Sequence, residues 1–196
     1  MIVAVAAIGL IVTTALAAPG RLVTGEEVIF TEVNGLPRWV GLPLEGIMQL
    51  GGFVASLAVA AVAALRGRSR VALAAGGGWA LVRITSSIMK ATVGRDRPPA
   101  FFADVALRQH LPADNGFPSS HAANAAALAV VVAWALPRAR LPVVLVAVLV
   151  GVARLYVGVH LPLDLVGGWC LGVLCGLTAI ALVTRLTGRN VSEHVR

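Results

Sequence analysis

Residues 141–164 read LPVVLVAVLVGVARLYVGVHLPLD. The first nineteen of them, 141–159, form an apolar run whose one charge is Arg154, near its end. A helix that crosses a bilayer needs about 20 such residues. Working outward, five further runs occupy 2–18, 42–65, 71–89, 119–136 and 161–186. Six spans would use roughly 120 residues, which leaves short loops in a chain of 196. The composition agrees, with 58% hydrophobic and 13% charged residues and a mean hydropathy of +0.88. Soluble domains run at about 45–50% apolar and about 25% charged. A disordered chain, a disulfide scaffold and an ordinary soluble enzyme are therefore excluded. The expectation is an all-α polytopic membrane protein with six transmembrane helices and one domain over 1–196.

The first run ends in Ala15-Leu16-Ala17-Ala18, which resembles a signal-peptidase site. It has no basic stretch before it, so a retained helix is expected. Cys170 and Cys175 share the last run but are five residues apart, off a common helix face, and read as packing residues. Segment 19–41 carries Glu26, Glu27, Glu32 and Trp39. It suits an interfacial amphipathic helix or a plain polar loop equally well.

Lys+Arg total 16 against 9 Asp+Glu, giving a net charge of +7. The only lysine is Lys90; the other cations are arginines. The basic residues fall in short clusters between apolar runs, which speaks for topology rather than nucleic acid. Arg66, Arg68 and Arg70, then Arg138 and Arg140, then Arg185, Arg189 and Arg196 fall on one side of a six-helix layout. That side is expected to be cytoplasmic. Segments 19–41, 90–118 and about 154–164 then face outward from the plasma membrane.

Those outward segments and the helix ends beside them hold Lys90, Arg95, Arg97, His121, Arg154, His160 and Asp164. Cations gathered on an outer face run against the charge bias, so an anion is expected there. Pro118-Ser119-Ser120-His121 opens a run with a proline and cap-forming serines. Free N–H groups at such a helix start suit a phosphate. His160 precedes the last run and Asp164 lies four residues on, within reach back to the imidazole. A carboxylate on one ring nitrogen fixes the tautomer and leaves the other free to attack.

Three spacings then become recognisable. Lys90-Ala-Thr-Val-Gly-Arg-Asp-Arg97-Pro98 resembles the K-x6-R-P motif of the type 2 phosphatidic acid phosphatase (PAP2) superfamily. Pro118-Ser119-Ser120-His121 is similar to its P-S-G-H motif, with Ser120 in place of Gly. Ala153-Arg154-x5-His160-x3-Asp164 is similar to S-R-x5-H-x3-D, with Ala153 in place of Ser. The motifs cover 90–164 and the six-helix layout extends the likeness along the chain. The resemblance implies a lipid phosphate or diphosphate phosphatase, a hydrolase that needs no metal and no cofactor. In it His160 would attack phosphorus to form a phosphohistidine, and Asp164 would orient that ring. His121 would serve the leaving oxygen and then water. Lys90, Arg97, Ser119, Ser120 and Arg154 would hold the phosphoryl oxygens.

Ser120 can still offer its backbone N–H unless the site demands a positive φ. Ala153 removes one hydroxyl but no acid, base or nucleophile. Arg95 and Asp96 read as a solvated pair, and Tyr156 as an interfacial anchor. Arg83 lies inside a run; pairing with Glu45 is the leading reading, and approach to a lipid headgroup the other. Nothing is assigned to His110 or His194. An anion or lipid transporter is the rival from another class, but its charges should spread through the membrane depth. A metal hydrolase using His121, His160 and Asp164 would place its ion among crowding cations. The expected partners are a lipid phosphate substrate and the bilayer, with no nucleic acid. A polyprenyl diphosphate is favoured as the lipid, ahead of phosphatidylglycerophosphate and phosphatidate.

Overall fold

Alanine decides the centre of the fold. The sixth helix, with the sequence SHAANAAALAVVVAWA, buries Ala122, Ala123, Asn124, Ala125, Ala126, Ala127, Ala129 and Val131. A helix buried on nearly every side must be surrounded by others. The computed structural model describes residues 1–193 as eight α-helices, with no strand among the described residues. They are α1 (Ile2–Ala17), α2 (Glu26–Asn34), α3 (Arg38–Met48), α4 (Phe53–Leu65), α5 (Ser69–Val93), α6 (Ser120–Ala135), α7 (Arg140–Tyr156) and α8 (Pro162–Glu193). Arg196 of the third basic cluster and His194 lie outside the described residues.

Helix α8 packs on α1, α5 and α6. Gly168, Gly172 and Gly176 recur every fourth residue along it, facing the backbone oxygens of Ser119, Ala123 and Ala127. A side chain at any of the three would push α6 away. Small residues at this spacing let helices in lipid approach backbone to backbone. The tight α6–α8 seam is what fixes the N-termini of both helices side by side.

Three helices are long and apolar enough to cross a membrane: Ser69–Ala100, Pro137–Tyr156 and Pro162–Gly188. A bent pair, Arg38–Gly51 with Phe53–Leu65, makes up to four. The run at 42–65, expected as one helix, is thus broken, with a bend of 59°. Gly51 and Gly52 sit at the break, and Asn124 of α6 donates to both of their carbonyls at 3.0 and 2.9 Å. That satisfies backbone groups the break would otherwise strand in an apolar interior. The runs at 2–18 and 119–136 form the shorter apolar helices Ile2–Ala17 and Ser120–Ala135. Apolar side chains such as Ile8, Ile11, Leu57, Ile84, Ile88, Leu141 and Val144 stay exposed on the outside of the bundle. The two cysteines are free, as expected of packing residues; Cys175 is buried and Cys170 half-buried.

Segment 19–41 is largely helical, and it folds over one end of the bundle rather than lying apart. Asn34 of α2 donates to the carbonyls of Ala106, Leu155 and Tyr156. The amide N–H of Ala106 returns a bond to the Asn34 side chain. Segments 19–41, 90–118 and 154–164 are knitted together at this end. Tyr156 is accordingly no interfacial anchor. It is 1% exposed, packed with Leu44, Met48 and Val159, with the Arg108 guanidinium 4.0 Å from its ring centroid. The arm formed by α2 and α3 covers the ring that would otherwise face lipid.

Candidate active site

The site is built where three chain segments end. Helix α5 stops at Val93, with Gly94 in the left-handed region at φ 67° as its C-cap. The chain then runs on with Arg95 and Arg97 buried and Asp96 exposed. Helix α6 starts at Ser120 with Ser119 as N-cap; its Oγ accepts from the Ala122 N–H at 3.4 Å. Helix α7 ends at Tyr156, and Gly158 turns the chain at φ 80°, where a Cβ would meet the Ala106 carbonyl at 2.8 Å. His160 follows that turn. The Ser119 N–H donates to the Asp164 carbonyl at 2.9 Å, tying the α6 start to the α8 start.

His160 is 2% exposed and Asp164 is 0% exposed. The His160 Nδ1 lies 3.3 Å from Asp164 Oδ2, and the Leu161 N–H donates to the same oxygen at 2.9 Å. On the far side of the ring, Nε2 lies 3.4 Å from an Arg97 terminal nitrogen. A guanidinium can only donate. Nε2 is therefore the acceptor, and the proton belongs on Nδ1, facing Asp164. Burial pushes the His160 pKa well below its ordinary value, and Arg154, Lys90, Arg97 and His121 push it the same way. The resting imidazole is neutral, with its Nε2 lone pair toward the cations.

Lys90 and Arg97 are buried and hold a loop. Lys90 Nζ donates to the Asn115 carbonyl at 2.5 Å and lies 3.4 Å from an Asp114 carboxylate oxygen. Arg97 donates to the Asp114 carbonyl at 2.7 Å, the Asp114 carboxylate at 2.6 Å and the Val159 carbonyl at 2.7 Å. Burial works against the charge on Asp114, but Lys90 and Arg97 outweigh it and hold its pKa below the usual carboxylate value. Arg154 is buried too. It reaches Gln109 at 3.1 Å and Met48 Sδ at 3.3 Å, and its Nε has no partner. Ser120 Oγ donates to Ser86 Oγ at 3.1 Å. Among the described residues no non-glycine has a positive φ, so Ser120 stands where the motif has Gly without backbone strain. Among the described residues no three His, Cys, Asp or Glu side chains converge as a metal-ligand set.

Two sequence readings are corrected here. Arg95 is not half of a solvated pair with Asp96; it is 0% exposed. Its guanidinium donates to Asp164 Oδ1 at 3.0 Å and to both carboxylate oxygens of Glu26. Glu26, 4% exposed at the start of α2, also accepts from the Val23 and Leu163 N–H groups at 2.9 Å. A chain Glu26–Arg95–Asp164–His160 results, which neither segment announces in the sequence. Arg83 makes no ion pair with Glu45 or with any other described residue. Instead it lines a cavity of about 310 Å³ together with Trp79, Ser120 and His121.

Comparison with known proteins bears on what this arrangement is. The family model described as PAP2 superfamily matches residues 71–187. An undecaprenyl-diphosphatase from Sulfolobus acidocaldarius is 34% identical over 90 residues, 45% of this chain and 44% of its own. Phosphatidylglycerophosphatase B from Bacillus subtilis is 35% identical over 104 residues, 47% of this chain and 48% of its own. A decaprenylphosphoryl-5-phosphoribose phosphatase from Mycobacterium tuberculosis is 36% identical over 124 residues, 61% of this chain and 66% of its own. The matches thus span about half to two thirds of these relatives. Among solved structures, LpxE from Aquifex aeolicus superposes with a TM-score of 0.74 at 24% identity, covering 83% of this chain and 98% of its own. A transmembrane PAP2-type phosphatidylglycerolphosphate phosphatase from Bacillus subtilis gives 0.72 at 23% identity, covering 91% and 96%. At these identities the structural likeness is one of fold.

Proposed function

Because the chain belongs to the PAP2 superfamily, we propose that it is a lipid phosphate phosphatase, embedded in the plasma membrane as one domain over 1–196. Six apolar segments cross the bilayer, the short α1 and α6 among them, and the site opens on the extracytoplasmic side. The substrate is the terminal phosphate or diphosphate of a membrane lipid. The relatives named above act on a prenyl diphosphate, a phosphatidylglycerophosphate and a prenylphosphoryl sugar phosphate, which share a phosphate at the end of a lipid headgroup.

The observation that carries this reading is the setting of His160: Asp164 on one ring nitrogen and the other turned toward Arg97. In the proposed reaction His160 Nε2 forms a bond to phosphorus as the bond from phosphorus to the lipid or leaving-phosphate oxygen breaks. The leaving oxygen takes a proton from His121. Asp164 accepts the Nδ1 proton's hydrogen bond and balances the charge on the ring. In the second step water attacks phosphorus, His121 takes its proton, the N–P bond breaks and inorganic phosphate leaves. Lys90, Arg97 and Arg154 bear the charge on the phosphoryl oxygens, with the N–H groups of Ser120 and His121 at the α6 start beside them. Three cations supply what a divalent metal supplies elsewhere, so the reaction runs without one.

The test is to trap phosphate on the purified protein during turnover of a lipid phosphate in excess EDTA. Wild type should carry acid-labile, base-stable phosphate, and His160→Ala should carry none and turn over no substrate. Equal trapping in His160→Ala, or loss of wild-type turnover that one divalent metal restores, would overturn the reading.

A further inference from the structure

Arg83 sits in an unusual place for an arginine. It is ten residues from the α5 end at Val93, which puts it about 15 Å below that end. It is exposed on the apolar surface of α5, and no described carboxylate pairs with it. A charge at such depth is costly and is kept where a pathway or ligand uses it. Its surroundings are those of the proposed phosphatase site. The cavity of about 310 Å³ that it lines also exposes Ser120 and His121, with Trp79 and Phe53, both exposed on the outside of the bundle, in its wall.

The register along α5 gives the spacing. Arg83, Ser86 and Lys90 fall at i, i+3 and i+7, so they form one stripe. Seven residues drift by only about 20° on a straight helix. Ser86 touches Ser120 at the α6 start, and Lys90 reaches the Asp114 loop. Arg83 is the lower end of that stripe, about 10 Å along the axis from Lys90. A second anion held there lies toward the lipid tails from the reacting phosphate.

We propose that Arg83 forms a second anion subsite for the phosphodiester that joins a substrate's headgroup to its lipid tail. The inference rests on the phosphatase reading above and narrows it. The preferred substrate carries a terminal phosphomonoester and, past a glycerol or sugar spacer, a phosphodiester at the tail side. In a prenyl diphosphate the two phosphorus atoms are one bridging oxygen apart, too close to reach both ends of the stripe. Phosphatidate has no second phosphate. Trp79 and Phe53 flank Arg83 where the first tail carbons would lie.

The experiment compares wild type, Arg83→Gln and Arg83→Lys on phosphatidylglycerophosphate, phosphatidate and a prenyl diphosphate in one detergent. The quantity read is the ratio of kcat/KM for phosphatidylglycerophosphate to that for each other lipid. Arg83→Gln should lower both ratios tenfold or more, the loss of a charge-assisted contact, and Arg83→Lys should restore part of it. The change should fall in KM more than in kcat, because Arg83 touches no reacting atom. An unchanged ratio overturns the subsite. So does an equal fall on all three lipids, which would mean that Arg83 supports the fold or meets bulk headgroups. Wild type that hydrolyses none of the three overturns the phosphatase reading itself, and the subsite with it.

Discussion

Arg95 offers the sharpest quantitative test of how the site is held. It is wholly buried between two buried carboxylates, Glu26 and Asp164. With His160 neutral, the three charges sum to −1. Arg95→Met leaves two buried carboxylates facing each other at −2. Removing one partner of a buried ion pair costs about 3–5 kcal/mol. For a chain of this size that corresponds to a fall in Tm of roughly 6–20 °C. Glu26→Gln alone keeps Arg95 on Asp164 and keeps one acceptor oxygen, but its NH2 then faces an Arg95 N–H and a backbone N–H, so it should cost about 1–3 kcal/mol. The double variant Arg95→Met with Glu26→Gln returns the cluster to −1 and should recover half or more of the lost stability. The assay is thermal unfolding of the four proteins in one detergent, read as a double-mutant cycle. Activity should separate from stability. Arg95→Met and the double variant both leave Asp164 Oδ1 without its partner, so both should lose kcat even where the fold has recovered. If the double variant unfolds at the same temperature as Arg95→Met, Glu26 is not the charge that Arg95 neutralises, and the buried chain has been misread.

The other expectations are briefer. Because the His160 pKa lies below its ordinary value of 6.5, Nε2 stays unprotonated under mildly acidic conditions; the acid limb of kcat/KM should lie below pH 6.5, and a limb at or above it would refute the neutral resting imidazole. The same shift has a stability sign: the unfolded chain binds this proton first, so stability is complete above pH 6.5 and declines as pH falls from there toward the folded pKa, as unfolding followed against pH would read. Asp114→Asn removes the carboxylate that shares Lys90 and Arg97 with the incoming phosphate, and for this half-exposed ion pair the gain is about 1 kcal/mol, seen as a KM about fivefold lower; a higher KM would mean that the loop needs the carboxylate. In a Cys170→Ala, Cys175→Ala background, Asp104→Cys should react with an impermeant thiol reagent from outside intact cells and Arg68→Cys should not, the reverse pattern placing the site in the cytoplasm.

Much of the fold and of the candidate site was legible because the signals are local. Apolar runs report helices one by one, and His160 reaches Asp164 across a single helical turn. The end-to-end grouping of 19–41, 90–118 and 154–164 also followed from alternation of the runs. What was not legible is what non-local contact decides. Glu26 and Arg95 are 69 residues apart, and no spacing rule relates them. Arg95 was hard to place for a second reason: α5 ends at Val93, so the helical phase that governs Lys90 no longer governs Arg95 or Arg97. Tyr156 has the look of an interfacial aromatic until α3 covers it. Gly41 of α3 lies directly against its ring. The break in the run at 42–65 had a local signal, Gly51-Gly52, but its stabiliser, Asn124, lies in another helix.

The same non-local contacts explain how an apolar bundle keeps so many cations at one end. Each motif cation except Arg154 has its hydrogen bonds met by loop oxygens: Lys90 by Asn115, Arg97 by Asp114 and Val159. Most of those acceptors are neutral carbonyls, which satisfy the donors without cancelling their charge. Among the described residues only Asp114 brings a carboxylate to Lys90 and Arg97, and it is half-exposed. Asp164, the buried carboxylate beside His160, gives its charge to Arg95 and its hydrogen bonding to His160. The excess positive charge therefore remains directed at the space beside His160 Nε2. Arg154 Nε, buried and unpartnered, marks the same deficit. In the proposed reaction a dianionic phosphoryl group would supply the negative charge and the acceptor oxygens that this space lacks, at the ring nitrogen that Asp164 leaves unprotonated.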